Sequence, residues 1–364
     1  MIRWREARVT RVRRQWQGAT ELEVDVAGVD GGWRALAYPQ LVGEALVGDT
    51  VLLNTTALER GLGTGGYALV VAVVSRLPEP EPQPAAGHMV KARYTPLQAM
   101  VLGVDEQESP HHEVLRDADD LAGLPVVVAD LHSAVPAIVA GVRARRPQAR
   151  VVYVMTDGGA LPAWFSRTVA GLREAGWLAA CVSAGQAFGG DTEAVTVHSA
   201  LLAARLVHRA DVVVVAQGPG NLGTGTRWGF SGVAVGEALN AAGVLGGRPV
   251  AALRVSQADE RERHRGVSHH SLTAVGRVAL TPCDVVLPAF EGAFGELVAG
   301  QARALVAPHT PHRLVPVALD GLLEALRGSP VTLSTMGRGL ADDEAAFLAA
   351  AAAGAHAATP AATG

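Results

Sequence analysis

The sequence predicts a small β-barrel or sandwich domain followed by a mostly parallel, doubly wound α/β sheet domain. Three observations predict it. Residues 1–76 alternate polar and apolar side chains in short runs separated by glycines. A run of alternating prolines, Pro78-Glu79-Pro80-Glu81-Pro82-Gln83-Pro84, then interrupts the chain. From about residue 97 onward, continuous apolar runs alternate with stretches of helical period.

In the first segment, Arg8–Arg13 and Glu21–Val26 show the period-two pattern of half-buried strands. Val47–Leu53 follows a turn, and Tyr67–Val74 is apolar enough to be buried. Short strands with glycine turns favour a small barrel or sandwich over 1–76. The proline run predicts an extended, stiff linker over 77–87. In the third segment, over 88–340, the apolar runs are Ala99–Val104, Pro125–Ala129, Arg150–Met155, Leu178–Val182, Val212–Ala216, Val250–Val255 and Val285–Leu287. Helical stretches at Pro136–Arg146, Trp164–Ala175, Thr196–Arg209 and Val233–Ala242 lie between them. Buried strands alternating with amphipathic helices call for a parallel sheet covered on both faces. Residues 341–364 read as an Ala-rich helix and a frayed tail.

Composition excludes several classes. The chain has 364 residues, 49% of them hydrophobic and 18% charged, which supports a folded core. A net charge of −4 gives no global field toward nucleic acid or anionic membrane. The arginines of the first fourteen residues, with Trp4 and Trp16, would suit nucleic acid by stacking and phosphate contact. Such arginines are more often the wet face of strands, so nucleic acid is disfavoured as a partner. Cys181 and Cys283 are too few and too far apart for a disulfide framework. The chain opens without an apolar leader, and no apolar run reaches spanning length. A cytoplasmic protein without membrane contact is expected, and nothing in the composition argues against a homo-oligomer.

In open α/β sheets, ligands bind beyond the carboxyl ends of the strands. The segments following the apolar runs hold much of the small polar, His, Asp and Gly content, whereas the opposite connections are short and bland. The loop Gly218–Thr226 is the sharpest of these segments. Gly218, Gly220, Asn221, Gly223, Thr224, Thr226 and Arg227 would cradle a phosphate or carboxylate with backbone N–H groups. A purely structural glycine turn and a dinucleotide site remain alternatives. Gly218–Gly223 satisfies G-x-G-x-x-G, but no acidic residue ends the next strand. No Walker A lysine follows.

His269 and His270 precede an apolar helix that Ser268 or Ser271 can cap. With His132 and the pair His111-His112 they are candidates for general acid–base work. Together with Asp130, Asp157 and Asp259 they can also hold a divalent metal, although the spacing fits no known metal motif. Adjacent histidines are expected to point apart, leaving one of the pair structural. Asp157, in Asp157-Gly158-Gly159, can orient an imidazole or simply form a turn. No Gly-x-Ser-x-Gly elbow exists, and neither cysteine sits in a polar glycine turn, which disfavours Ser and Cys nucleophiles.

Lys91 is the only lysine among 31 basic residues. Where arginine replaces lysine elsewhere, a retained ammonium hints at a specific need. If the segment is extended, Lys91, Arg93 and Thr95 share one face and can reach an anion or pair between domains.

The segments His88–Gln98, Thr156–Pro162, Gly218–Gly229 and Gly266–Ser271 resemble those of the family defined by domain of unknown function 3866, common in actinobacteria. The resemblance covers most of residues 1–340 and implies a bacterial cytoplasmic protein, with no activity to carry over. The expected function is binding of a phosphate- or carboxylate-bearing, nucleotide-like small molecule. Hydrolysis or group transfer would use His269, His270 and His132, with Asp157 in support. The rival expectation is a non-catalytic ligand sensor whose β domain docks a protein or nucleic acid.

Overall fold

The computed structural model describes residues 1–79, 86–306, 310 and 312–359. Most of the proline run, His309 and the expected frayed tail from Pro360 onward lie outside the described residues. The chain divides into two compact units, Met1–Val101 and Leu102–Gly364.

In the first unit, strands β1 (Trp4–Trp16), β2 (Ala19–Val26), β3 (Trp33–Ala37), β4 (Thr50–Asn54) and β5 (Ala68–Val73) close into a barrel of order β1-β2-β3-β5-β4. A short helix α1 (Pro39–Val42) follows β3. Alternate side chains such as Val9, Leu22, Val24, Val51, Leu53 and Val70 fill the interior, as the period-two pattern requires. Three of the outward arginines are paired: Arg3 and Arg5 meet Glu59, and Arg13 meets Glu23 at 3.0 Å. They form the wet face of the strands.

The first unit also holds a hairpin of β6 (Met89–Lys91) and β7 (Ala99–Val101). Of the run Ala99–Val104, expected as a strand of the large sheet, Ala99–Val101 pairs with β6, while Gly103 makes an isolated parallel bridge to Glu193. Lys91, Arg93 and Thr95 do not share an extended face either. Ala92 and Tyr94 adopt left-handed φ values of 48° and 61°, so the backbone turns straight after Lys91.

The second unit is built on eight strands: β8 (Pro125–Ala129), β9 (Val151–Thr156), β10 (Ala180–Ala184), β11 (Thr192–Ala194), β12 (Val212–Gln217), β13 (Arg248–Ala252), β16 (Asp284–Pro288) and β17 (Arg313–Val317). Two-residue strands β14 (Val255–Ser256) and β15 (Gly266–Val267) form a separate hairpin, as do β18 (Ser334–Thr335) and β19 (Arg338–Gly339). The large sheet has the order β11-β10-β9-β12-β8-β13-β16-β17, and every pairing is parallel.

After α2 (His112–Leu115), the helices cover both faces. One face packs α5 (Val197–Leu206), α6 (Ala234–Val244), α7 (His269–Thr273) and α8 (Gly292–Ala302). The other packs α3 (Val135–Arg145), α4 (Arg167–Glu174), α9 (Leu322–Arg327) and α10 (Glu344–Ala358). This is the doubly wound α/β arrangement, with β12 buried throughout and β8 and β9 buried except at Pro125 and Thr156, because helices lie above and below them. Local signals agree with the longer elements. Thr196 caps α5 in a reciprocal box with Ser199, and the Ser166 hydroxyl accepts the Val169 N–H to start α4.

The C-terminal helix α10 is a core element. Residues Phe347–Gly354 are all buried, and α10 crosses α3 so closely that both contact points are glycine. A Cβ on Gly354 would lie 1.9 Å from the Ile138 carbonyl oxygen, and one on Gly141 would lie 1.9 Å from that of Ala351.

Candidate functional site

The crossovers place a topological switch between two neighbouring strands. The connection leaving β8 runs through α3 on one face, and that leaving β12 runs through α6 on the other. Diverging connections open a crevice over the carboxyl ends. Asp130 directly follows β8, Gln217 ends β12, and Arg254 lies just beyond β13.

Asp130 is the hub. It is buried, and its Oδ2 accepts hydrogen bonds from Arg254 Nη1 at 3.2 Å and His270 Nδ1 at 3.0 Å. Its backbone oxygen accepts from Gln217 Nε2 at 2.9 Å. Only glycine fits at position 232, because a Cβ there would sit 1.6 Å from Asp130 Oδ1. That Oδ1 is itself buried without a hydrogen-bond partner.

The start of α7 is clipped onto the end of β13. Ser271 Oγ accepts the Arg254 N–H at 2.9 Å, the Ser268 N–H donates to the Arg254 carbonyl at 2.8 Å, and Ser268 Oγ accepts the His270 N–H at 3.2 Å. This holds both histidines in place. The His270 ring stacks on Phe230 with centroids 3.8 Å apart and planes 7° off parallel. The two rings do not diverge as expected for adjacent histidines. His269 and His270 lie 4.4 Å apart in an edge contact, because neighbouring positions at a helix start are about 100° apart rather than opposed.

A third imidazole joins them. The β14–β15 pairing folds the intervening loop back, so that His264 lies 5.0 Å from both rings and its Nδ1 is 2.7 Å from Ser268 Oγ. The same loop carries Asp259, Arg261 and Arg263. Arg261 grips Asp259 through two bonds of 2.9 and 2.8 Å, and Arg338 adds a third contact at 3.2 Å. Arg338 also reaches Asp343, which accepts from Ser256 Oγ and Gln257 N–H.

A cavity of about 160 Å³ opens beside them. Arg254, Arg261, Arg263 and the three histidines line it, together with Asn221, Gly223, Gly225 and Met336. Burial, reinforced by Arg254 and Arg261, pushes His264 down to about 3. Burial and then His270 and Arg263 lower His269. Both rings are therefore neutral near pH 7.

The sequence-predicted residues separate into two groups. His269, His270, Asn221 and Gly223 line the cavity. Gly218, Gly220, Thr224, Thr226 and Arg227 do not. Part of their loop is internally satisfied: the Thr224 N–H donates to Gly229, the Leu222 N–H to Ser231 Oγ, and the Gly229 N–H to Thr226 Oγ1. His132 is also elsewhere. Its Nδ1 is 3.0 Å from Tyr153 Oη and its Nε2 is 2.7 Å from Ser166 Oγ. The Tyr153 hydroxyl donates to the Ala216 and Gln217 carbonyls. His132 Nδ1 therefore donates to Tyr153 and its Nε2 accepts from Ser166, an arrangement that packs the sheet. Burial lowers His132 to about 4. Asp157 accepts the Gln186 N–H at 2.8 Å and ties two loops together. Lys91 is fully buried and Arg93 exposed, both in the first unit. His112 bonds the Asp105 carbonyl at 2.8 Å, and neither it nor His111 lines the cavity.

The sequence profile described as "Protein of unknown function (DUF3866)" matches residues 34–354. The chain belongs to this family. In this DUF3866 protein the match runs from within β3 into α10, so every residue lining the cavity falls inside it. No curated protein and no solved structure matches the chain. Among the described residues, no helix is long and apolar enough to cross a membrane.

His264, Arg254, Arg261, Arg263 and Phe230 were not singled out from sequence. The available signal was the dense His and Arg content of 261–270, whose spacing becomes meaningful only once β14 and β15 pair. The Asp259 ion pairs carry a pH dependence. Its hydrogen bonds to Arg261 hold the carboxyl well below the usual carboxylate range. A depressed folded-state value contributes stability that is fully present above the unfolded value of about 3.9 and is lost as pH falls from there through the folded value. Wild-type stability should therefore drop in urea titrations below about pH 4. Asp259→Asn should be less stable at pH 7 and flatter in acid, and parallel profiles would refute this role.

Proposed function

We propose that this DUF3866 protein binds a phosphate- or carboxylate-bearing, nucleotide-like small molecule in the cavity and carries out hydrolysis or group transfer on it. One observation carries this reading: three guanidinium groups and three imidazoles converge on a single cavity at the switch point of the sheet. Asp130 and Asp259 fix Arg254 and Arg261 in position, so these cations are oriented before a ligand arrives. Arg263 is exposed and adds a further positive charge. Two carboxylates against three guanidiniums favour an anion.

Ligand pockets for whole drug-sized molecules span roughly 300–1,000 Å³. A cavity of about 160 Å³ suits the charged head group, with the remainder of the molecule outside. Neutral imidazoles beside that head group can accept a proton from water or a hydroxyl and return it to the leaving oxygen. A cytoplasmic setting fits the two free, buried cysteines.

Calorimetric titration of chelator-treated, full-length protein with inorganic phosphate and pyrophosphate provides the test. Saturable binding is expected, weakened about tenfold in Arg263→Ala by loss of one charge-assisted contact. Absence of anion binding, or an unchanged Arg263→Ala isotherm, would overturn the assignment.

A further inference from the structure

We propose that His264, His269 and His270 form a mononuclear site for a divalent transition metal of zinc type, with its open coordination position facing the cavity. One ring nitrogen from each histidine lies within 4.8 Å of the other two. The ring positions fit more closely still. Metal–nitrogen bonds of about 2.0–2.1 Å at tetrahedral angles place three imidazole centroids about 5 Å apart. The observed separations are 5.0, 5.0 and 4.4 Å.

Hydrogen bonding sets which nitrogens would ligate. His270 Nδ1 lies 3.0 Å from Asp130 Oδ2 and 3.1 Å from Arg254 Nη1; in the tautomer that donates Nδ1–H to the carboxylate, the Nε2 lone pair is available. Arg254 donates to the same oxygen at 3.2 Å. His264 Nδ1 is engaged by Ser268 Oγ, again leaving Nε2. A histidine whose second nitrogen is held by a carboxylate or hydroxyl is the common support for a metal-binding imidazole. His269 supplies an independent observation: its Nε2 is buried with no hydrogen-bond partner. Leaving a polar atom in that state is costly, and a metal would satisfy it.

The donor set selects the ion. Three imidazoles without a carboxylate suit zinc, cobalt, nickel or copper and disfavour magnesium and calcium, which take oxygen ligands. Charge does not forbid occupancy, since Asp130 and Asp259 offset Arg254 and Arg261. Three protein ligands leave one position open, as in catalytic rather than structural zinc sites. A metal there would supply a Lewis acid beside the held anion, in place of proton transfer by the three imidazoles that ligate it. That use rests on the proposed function, whereas the metal site itself does not.

The test uses the full chain and the metal alone. Chelator-stripped protein is dialysed against Zn²⁺ and, separately, Co²⁺, and bound metal is counted by elemental mass spectrometry. One equivalent per chain is expected, with the intense visible bands of four-coordinate Co²⁺. His264→Gln and His269→Gln should each weaken binding at least 100-fold. Asp130→Asn, a positioning change, should weaken it roughly 10- to 100-fold. His208→Gln, remote from the cavity, should leave binding unchanged. Substoichiometric metal, an octahedral Co²⁺ spectrum, or full binding in folded His264→Gln and His269→Gln would overturn the site. If those variants fail to fold, the wild-type stoichiometry and Co²⁺ spectrum still decide. Because no anion is added, failure here leaves the phosphate titration standing, and failure of that titration leaves the metal count standing.

Discussion

Gly354→Val is expected to be the most damaging single substitution in the second unit. The two long helices on one face of the sheet touch backbone to backbone, and a Cβ at position 354 would approach the Ile138 carbonyl carbon to 2.8 Å as well as its oxygen. Inserting bulk into a packed core costs typically about 1–3 kcal/mol, and more where a flexible side chain cannot give way. Here the obstacle is helix backbone, so a loss of about 3 kcal/mol or more is expected, a large part of a typical stability of about 5–15 kcal/mol. Gly300→Ala supplies the opposite case. Gly300 lies in α8 with nothing within 4 Å of an added Cβ, so it should gain about 0.5–1 kcal/mol from helix propensity. Urea unfolding of both variants checks the pair. A Gly354→Val protein as stable as wild type would refute the α3–α10 contact.

Asp130→Asn should be the next largest. It removes the carboxylate that pairs with Arg254, whose side chain is only 10% exposed, and that orients His270. Breaking a buried ion pair from one side costs about 3–5 kcal/mol, because the surviving charge is stranded. Removing both partners should cost much less. The double variant Asp130→Asn/Arg254→Met is therefore expected to recover most of the loss, giving a coupling of about 2–3 kcal/mol in a double-mutant cycle. Additive losses would show that the two residues act separately.

Much of the fold was legible because its strands are long and apolar. The runs at 125–129, 150–155 and 212–216 became β8, β9 and β12, buried by helices on both faces. The elements missed carry weak signals. β11 has three residues, and β17 is an edge strand carrying a proline, Arg313-Leu314-Val315-Pro316-Val317. The Ala99–Val101 run is apolar enough for a sheet strand, but the turn after Lys91 returns it to β6. Helix α10 was legible as an Ala-rich helix but not as part of the core, because such a segment has no distinct apolar face, and it is buried on nearly all sides.

The site was half legible. His269, His270 and the loop at 218–226 lie where strand ends predict a ligand. His132 follows β8 equally closely, yet Tyr153 and Ser166 capture its ring. That partnership spans 21 and 34 residues and is invisible to local pattern. His264 stands only five positions before His269, but their approach depends on the pairing of β14 with β15, which local pattern does not show.

The account turns on where the ligand lands. Ring signals of the 12 histidines, followed by NMR on imidazole-labelled protein during a pyrophosphate titration, report that directly. The resonances of His264, His269 and His270 should move together and saturate, while those of His132, His198, His208 and His356 stay in place. Saturable shifts confined to the second set, or no shifts at all, would contradict the placement of the site.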